Sequence, residues 1–488
     1  MNKILFTHSY FLRFDPKQWE QGQPYAPLGT LYAASLLRAN GYEVNLFDTM
    51  FSSSAEEIIP AINTHQPDLF VVYDDGFNYL TKMCLTNMRQ AAFKMFKLAK
   101  AKGCTVIVSS SDSTDRYEDY LNEGADFVLL GEAEMTLLEL TQALKSGVNN
   151  YDNITGLAYM QNGSVKRTPG RAVLKELDQL PLPAWDLIDI EPYRKAWLKS
   201  KGFFSMNMST TRGCPFKCNW CAKPIYGSRY NSRSPENVIT ELKLLKQQFK
   251  VDHIWFCDDI FGLKPGWVHG FARLVKEENL QFKYKIQTRA DLLLQDDQIE
   301  ALAASGCDNA WIGAESGSQK ILDAMDKGTT IEQIHTATRL LKKHHIKPSF
   351  FIQFGYPGET KQDIELTINM IGKLLPHEIG ISVSYPLPGT VFYQRVKAEL
   401  QQKTNWTDSD EMALLYKNNY PPAFYKQLHQ YVHQNYHQHL AKDSLISLFT
   451  HPLNTRLKTI KKAMSLAYYA PLTMIEKFKL IRAERASV

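Results

Sequence analysis

Short apolar runs alternate with stretches of helical period along most of this chain, and that alternation limits the fold more than any other feature. In residues 1 to 145 the runs ILFTHSYF, EVNLFD, DLFVVY, TVIVSSS and DFVLLGEAE are separated by helical patterns from Leu31 to Leu37, around Glu57 and through Lys100. Strands spaced by helices form a parallel sheet covered on both faces, an α/β doubly wound domain whose ligand crevice lies outside the carboxyl ends of its strands. A second series opens at Phe203 with FFSMNMSTTRGC, HIWFCDD, FKYKIQTRA, NAWIGAESG, PSFFIQFGYPG and EIGISVSYPLPGT. Six strands with helices between them predict an open barrel. Residues 146 to 200 read as a linker with a small hairpin, LAYMQNGSVKRT, turning at Asn162-Gly163 before the proline-rich LPLPAWDLI. After Leu400 strand signals cease, leaving helices with a break at Pro421-Pro422. The expected units are therefore 1 to 145, 146 to 200, 201 to 400 and 401 to 488.

A hydrophobic share of 44% with 22% charged residues suits a globular chain and argues against disorder. No stretch reaches the ~20 apolar residues of a membrane span, and the longest candidate, Met464 to Ile475, contains Pro471. The opening MNKILFTHSYF has neither a secretory apolar core nor a cleavage site, so a cytoplasmic location is expected. Seven cysteines, an odd number, then favour metal ligation over a disulfide framework. The net charge of +5 is local: residues 451 to 488 carry eight Lys/Arg against two Asp/Glu, or +6, which leaves −1 for the rest.

Three of the cysteines are bunched in TTRGCPFKCNWCAKPIYG, where Cys214, Cys218 and Cys221 follow a predicted strand with three and then two residues between them. Three thiolates on one loop can hold three irons of a four-iron cluster and leave the fourth iron open to a substrate. Structural zinc normally takes four protein ligands, and no fourth Cys or His lies near, so zinc is the lesser alternative. Cys84, Cys104, Cys257 and Cys307 are isolated and read as buried, inert thiols.

The cysteine loop, with Trp220 in the aromatic place before its last cysteine, resembles the signature of the radical S-adenosylmethionine (radical SAM) superfamily, and residues 200 to 395 carry matching segments. The resemblance implies a 4Fe-4S cluster whose open iron is chelated by the amino and carboxylate groups of S-adenosylmethionine. An electron, from a donor such as flavodoxin or ferredoxin, then cleaves the sulfonium to a 5′-deoxyadenosyl radical. It also implies cosubstrate contacts at Asp258 and Asp259 (amine), Arg289 (carboxylate), and Glu315 with Ser316 (ribose). GYPGET and PLPGT fall at the fifth and sixth strand ends. The plainer readings are helix caps or ion pairs for the aspartates, a solvated charge for Arg289 and simple turns for the Pro-Gly segments.

The first domain is similar to the Rossmann-like domain of cobalamin-binding radical SAM enzymes. The matching residues are Pro27, Leu28 and Gly29 in YAPLGTLYAASLL, Asp48, Ser109 and Ser110 in SSSDST, and Gly131 and Glu132 in GEAE. The family often has Gly-Gly-x-His where this chain has Ser-Ser-Ser-Asp, and no Asp-x-His-x-x-Gly stretch supplies an axial histidine. The resemblance thus implies cobalamin without a histidine ligand, with vestigial loss of binding as the alternative. His429, His433 and His437 share one helix face, which predicts an amphipathic helix over the barrel mouth rather than a metal site. The basic stretch 451 to 488 reads as a solvated tail, or else as a contact for an anionic membrane surface or an acidic substrate. It lacks a nucleic-acid motif, so no nucleic-acid partner is expected. The resemblance implies methylation of an unactivated carbon in a small-molecule substrate. Its runner-up is ring closure or rearrangement, as in anaerobic tetrapyrrole cyclases, and a non-catalytic electron carrier or redox sensor is the reading from another class.

Overall fold

The computed structural model describes residues 1–77, 85–223, 225–400, 405–411, 414–450 and 457–485. Cys84 lies outside the described residues. The first apolar runs form β1 (Lys3–Thr7), β2 (Glu43–Phe47), β3 (Leu69–Tyr73), β4 (Thr105–Ser109) and β5 (Phe127–Leu129). These five are parallel in the order β2-β1-β3-β4-β5. Helices such as Leu28–Ala39 and Thr86–Lys100 cover the sheet, so β3 and β4 are buried throughout or nearly so and read LFVVY and TVIVS instead of alternating. The predicted hairpin forms as β6 (Leu157–Gln161) and β7 (Ser164–Arg167). Its first strand pairs antiparallel with β5, so the segment read as a linker extends the first sheet to seven strands.

The second series begins with β8 (Ser205–Met208), followed by the two-residue strands β9 (Thr211–Arg212) and β10 (Asn231–Ser232), which pair only with each other. Then come β11 (His253–Phe256), β12 (Lys283–Thr288), β13 (Cys307–Glu315), β14 (Lys347–Phe354) and β15 (Ile379–Val383). With β8 these five make a parallel six-stranded sheet in strictly sequential order, the predicted partial (β/α)6 barrel. Its helices start where the chain supplies caps. The Thr330 and Thr360 side chains accept from the backbone N–H of Gln333 and Asp363, whose own side chains reach back to the cap residue.

Alternation along the strands divides the barrel into two faces. Ile254, Phe256, Tyr284, Ile286, Ala310, Ile312, Phe350 and Ile352 are buried, as strand residues facing the helices must be, and each large one stabilises the fold by about 2 kcal/mol. Trp255, Lys285, Gln287, Trp311, Gly313 and Gly380 alternate with them, are only half-buried and line the concave side, with Phe351 more exposed beside them.

The C-terminal region is helical, as expected. Helix Pro422–Thr450 does not cross the barrel mouth. It begins where the Tyr425 ring fills the space beside Gly355, at the end of β14, and runs down the outside, with the Tyr436 hydroxyl donating to the Pro376 and His377 carbonyls just before β15. The rings of His429 and His433 lie 4.5 Å apart, and burial holds them down to about 4 and about 3, uncharged at neutral pH. His437 stacks on Tyr469 of the returning helix Leu466–Arg485. No helix among the described residues is long and apolar enough to cross a membrane.

Candidate active site

The cysteine loop is an excursion, residues 213–230, tied at its base by the β9/β10 ladder. Asp258, at the end of β11, fixes the entry. Its carboxylate accepts from the backbone N–H of Thr210 (2.7 Å) and Thr211 (2.9 Å) and from the Thr210 hydroxyl (2.6 Å). Burial pushes Asp258 up to about 6, against the pull of those threonine hydrogen bonds. Gly213 then takes a φ of 79°, and a Cβ there would stand 2.2 Å from the Arg229 carbonyl oxygen, so only glycine fits. In the middle of the loop, Asn219 donates to the Ala324 carbonyl (2.8 Å) and to Asp326 (2.7 Å) and accepts from the Tyr356 hydroxyl (2.8 Å). That single side chain staples the loop to the end of helix Gln319–Ala324, which follows the fourth barrel strand, and to Tyr356 just past the fifth.

Cys214, Cys218 and Cys221 are half-buried. Cys218 meets the Arg289 guanidinium (Nη1 to Sγ 3.9 Å), which also lies 3.8 Å above the Phe216 ring. Burial pushes the Cys214 thiol up, and the neighbouring Asp259 and Cys218 add to the shift. Among the described residues no three His, Cys, Asp or Glu side chains converge on a point as a mononuclear ion requires. A four-iron cluster asks for something else, three thiolates at three separate corners, and one loop carrying three half-exposed thiols suits that donor set.

Around the thiols the second sheet brings its predicted site residues together, though not in the predicted roles throughout. Asp258 is spent on the backbone, and Asp259 is the exposed carboxylate of the pair, beside Cys214. Arg289 is buried, paired in fork fashion with Asp291 (2.9 and 3.0 Å) and bonded to the Lys327 carbonyl. Glu315 sits at a bulge in β13 with a φ of 56°, a strained conformation for a residue with a side chain. Its carboxylate accepts from the Lys327 ammonium (2.8 Å), and Gly313 makes room for the pair, since a Cβ there would lie 2.4 Å from Nζ. Ser316 is fully buried and bonds Thr367 (3.1 Å) and the Ser318 N–H, so it braces the turn. The Trp220 indole N–H is buried with no hydrogen-bond partner among the described residues.

Two residues were missed in the sequence. Lys327 lies twelve positions after Glu315 in a stretch, DKGTT, with no motif of its own, and only the folded chain sets its charge against Glu315 and Cys218. Lys285 rises from the concave wall, its ammonium 4.6 Å from the Trp255 ring and 5.9 Å from Trp197, and on the same wall the Trp311 and Phe351 rings lie 4.7 Å apart, tilted by 30°. Burial pulls Lys285 down to about 8.

At the strand ends of the first sheet the expected corrinoid contacts are mostly engaged with one another. Asp48 accepts from the His8 ring (2.8 Å) and the Tyr193 hydroxyl (2.6 Å); burial raises it, but His8, Tyr193 and the Met50 N–H together leave the carboxyl lowered. Ser110 and Ser113 form a reciprocal cap on the short helix Ser111–Asp115, and Asp112 is clamped by Arg89. Ser109 is buried, and its carbonyl accepts from the backbone N–H of Asp74 (2.8 Å). Glu132 pairs with Arg212, as does Glu134, all three buried. Pro27 precedes the helix that Leu28 opens, and Leu28 is fully buried. Gly29 backs onto Asp74 and Asp75, and Gly131, with a φ of 74°, leaves backbone open, the nearest atom to a Cβ there being the Ile225 carbonyl at 3.8 Å. Cys104, Cys257 and Cys307 are buried, as read from the sequence.

Residues 208–371 match the Radical SAM superfamily, a stretch that runs from the end of β8 into the helix after β14. Over 389 residues the chain is 29% identical to an uncharacterized methyltransferase of Pyrococcus horikoshii, covering 78% of this chain and 80% of that one. It is 25% identical over 409 residues to the anaerobic magnesium-protoporphyrin IX monomethyl ester cyclase of Rubrivivax gelatinosus, covering 81% and 70%. Among solved structures, the cobalamin-dependent S-adenosylmethionine radical enzyme OxsB, with aqua-cobalamin and S-adenosylmethionine bound, superposes with a TM-score of 0.72 at 18% identity, covering 98% of this chain and 72% of OxsB. At that identity the likeness is one of fold.

Proposed function

We propose that this chain, a radical SAM protein by its barrel and cysteine loop, is a cobalamin-dependent enzyme that methylates an unactivated carbon of a small molecule. The observation that carries the reading is the stapled loop that holds three half-exposed thiols over Asp259, Arg289 and the strained Glu315–Lys327 pair. When bound, the cluster supplies reductive cleavage of S-adenosylmethionine and the corrinoid carries the methyl group. Cys214, Cys218 and Cys221 would hold the cluster; Asp259 suits the ammonium of the cosubstrate, and the Trp220 N–H offers it a donor. Glu315, held in place by Lys327, is aimed by its backbone rather than by a flexible rotamer, which favours a fixed hydrogen bond to a ribose.

Cobalamin fits the crevice between the strand ends of the first sheet and the cysteine loop, where backbone at Gly131 can meet a flat ring closely. The His8 imidazole at these strand ends is tied to Asp48 and Thr49, which favours a cobalt without a histidine ligand. We assign the reducing electron to a flavodoxin-like or ferredoxin-like donor and the protein to the cytoplasm, where its odd cysteine number is compatible with reduced thiols. The units 1 to 145 and 201 to 400 act as corrinoid and radical halves, with 146 to 200 completing the first sheet and 401 to 488 bracing the barrel.

Anaerobic reconstitution followed by reduction with S-adenosylmethionine is the test. Four irons per chain, bound cobalt and 5′-deoxyadenosine are expected, with both iron and 5′-deoxyadenosine falling to background in Cys221→Ala. Label from the S-adenosylmethionine methyl group should appear in product. A cobalamin-dependent product of unchanged carbon number would instead select the cyclase-like reading, which the similarity to the Rubrivivax enzyme favours as the second choice. Iron without 5′-deoxyadenosine would leave an electron carrier.

A further inference from the structure

We infer that the C-terminal helices dock this protein on an anionic lipid surface. Seventeen large hydrophobic side chains are exposed among the described residues, and nine of them fall between 446 and 478. They are not scattered along that stretch. Leu457, Ile460 and Met464 recur at helical spacing on Leu457–Met464, and Tyr468, Ile475 and Phe478 recur likewise on Leu466–Arg485. The opposite side of Leu466–Arg485 is already used against helix Pro422–Thr450, through the Tyr469–His437 stack and the Gln427–Glu476 bond. An apolar face of this kind, with its helix's other face packed, needs an occupant.

Charge selects the occupant. Lys458, Lys461, Lys462, Lys477, Lys479 and Arg482 are all exposed among these apolar residues. The two acids of the segment are engaged, Glu476 with Lys479 and Gln427, and Glu484 with Lys361. With Lys479 paired to Glu476, a second copy of the chain would still set five cations against five, and like charges across an interface are costly. Apolar side chains interleaved with lysines match instead the acyl boundary and headgroups of an anionic leaflet, where each lysine near the surface adds to binding. No described helix spans a membrane, so the contact is peripheral.

The helix direction sets the orientation. Pro422–Thr450 starts beside Gly355 at the carboxyl end of β14 and passes Pro376 at the opposite end of the barrel, so Phe449 lies about 20 Å further on. Leu466–Arg485 turns back along that helix, its Glu476 meeting Gln427 and its Glu484 meeting Lys361 just after β14, so the docking face runs along the outer flank of the barrel from its lower end up to the level of Gly355. The inference is independent of the reaction proposed above.

Co-flotation of the full-length, cluster-loaded chain with vesicles tests it. Vesicles of phosphatidylcholine with one third phosphatidylglycerol should carry the protein, pure phosphatidylcholine should not, and ~0.5 M salt should release it. Replacing Lys458, Lys461 and Lys462 together by Glu should cut vesicle binding at least about tenfold, as should Lys477→Glu with Arg482→Glu on the other helix. The wild-type salt titration stands even if a variant fails to fold. Equal binding to neutral vesicles, no binding to either, or a concentration-dependent dimer dissolved by Phe478→Glu would each overturn the inference, the last by giving the face to a second copy.

Discussion

The two parallel sheets present their carboxyl ends toward a common space, yet they treat polar groups in opposite ways. At the barrel ends stand three half-exposed thiols, an indole N–H without a partner among the described residues, and a glutamate in a strained conformation. At the ends of the first sheet, Asp48, Ser110, Asp112 and Glu132 are each satisfied by a neighbour. The difference teaches how each half can hold a ligand. The barrel offers directed donors and charges, whereas the first sheet offers shape and backbone, a surface suited to a large flat group held by contact.

The contrast fails or sharpens under three substitutions. Lys327→Ala should have the largest effect, because it strands Glu315 as a buried, unpaired charge; we expect a loss of about 3–5 kcal/mol in unfolding free energy. Formation of 5′-deoxyadenosine should fall at least about tenfold as the carboxylate loses its fixed position. Unchanged activity would show that the strained pair serves only the fold. Next, burial raises Glu359, at the end of β14, from 4.5 to about 8, so the folded protein keeps a proton that the unfolded chain gives up. That contribution is complete below the unfolded value and is lost as pH rises through about 8. Denaturant titrations of the parent should therefore show roughly 1–3 kcal/mol less stability at pH 9 than at pH 6, a drop that Glu359→Gln should largely remove. Smallest of the three, Ser110→Ala removes one helix cap and should cost about 1 kcal/mol without changing cobalamin uptake. A tenfold or larger loss of uptake would mean that the first sheet holds its ligand through side-chain donors after all.

Both parallel sheets were legible in the sequence because strand and helix periods alternate cleanly, and the cysteine loop because its spacing is itself the donor set. Less legible was the use to which each polar residue is put. Asp258 and Asp259 are adjacent and chemically identical, and only the Thr210 and Thr211 amides show that the first belongs to the backbone. The Ser-Ser-Ser-Asp segment reads as room for a ligand tail, but Ser110 and Ser113 stand three apart at a helix start, the spacing of a cap. Lys327 had no local signal, since its partner lies across a turn that the chain closes only on folding. The hairpin was visible from Asn162-Gly163, while its docking on β5 depends on an edge that exists only once the sheet is assembled.

Arg212 stands two residues before the first cysteine, packed among the Tyr32, Phe77 and Tyr226 rings, with Glu132 and Glu134 of the other half as its counterions. A barrel cut free at residue 200 would thus keep a cation in an aromatic pocket from which both neutralising carboxylates had been removed, at the root of the cysteine loop itself. Any swap of amino-terminal halves among relatives must carry those two acids along, and a chimera that respects only the apparent domain border inherits a defect beside the three cysteines.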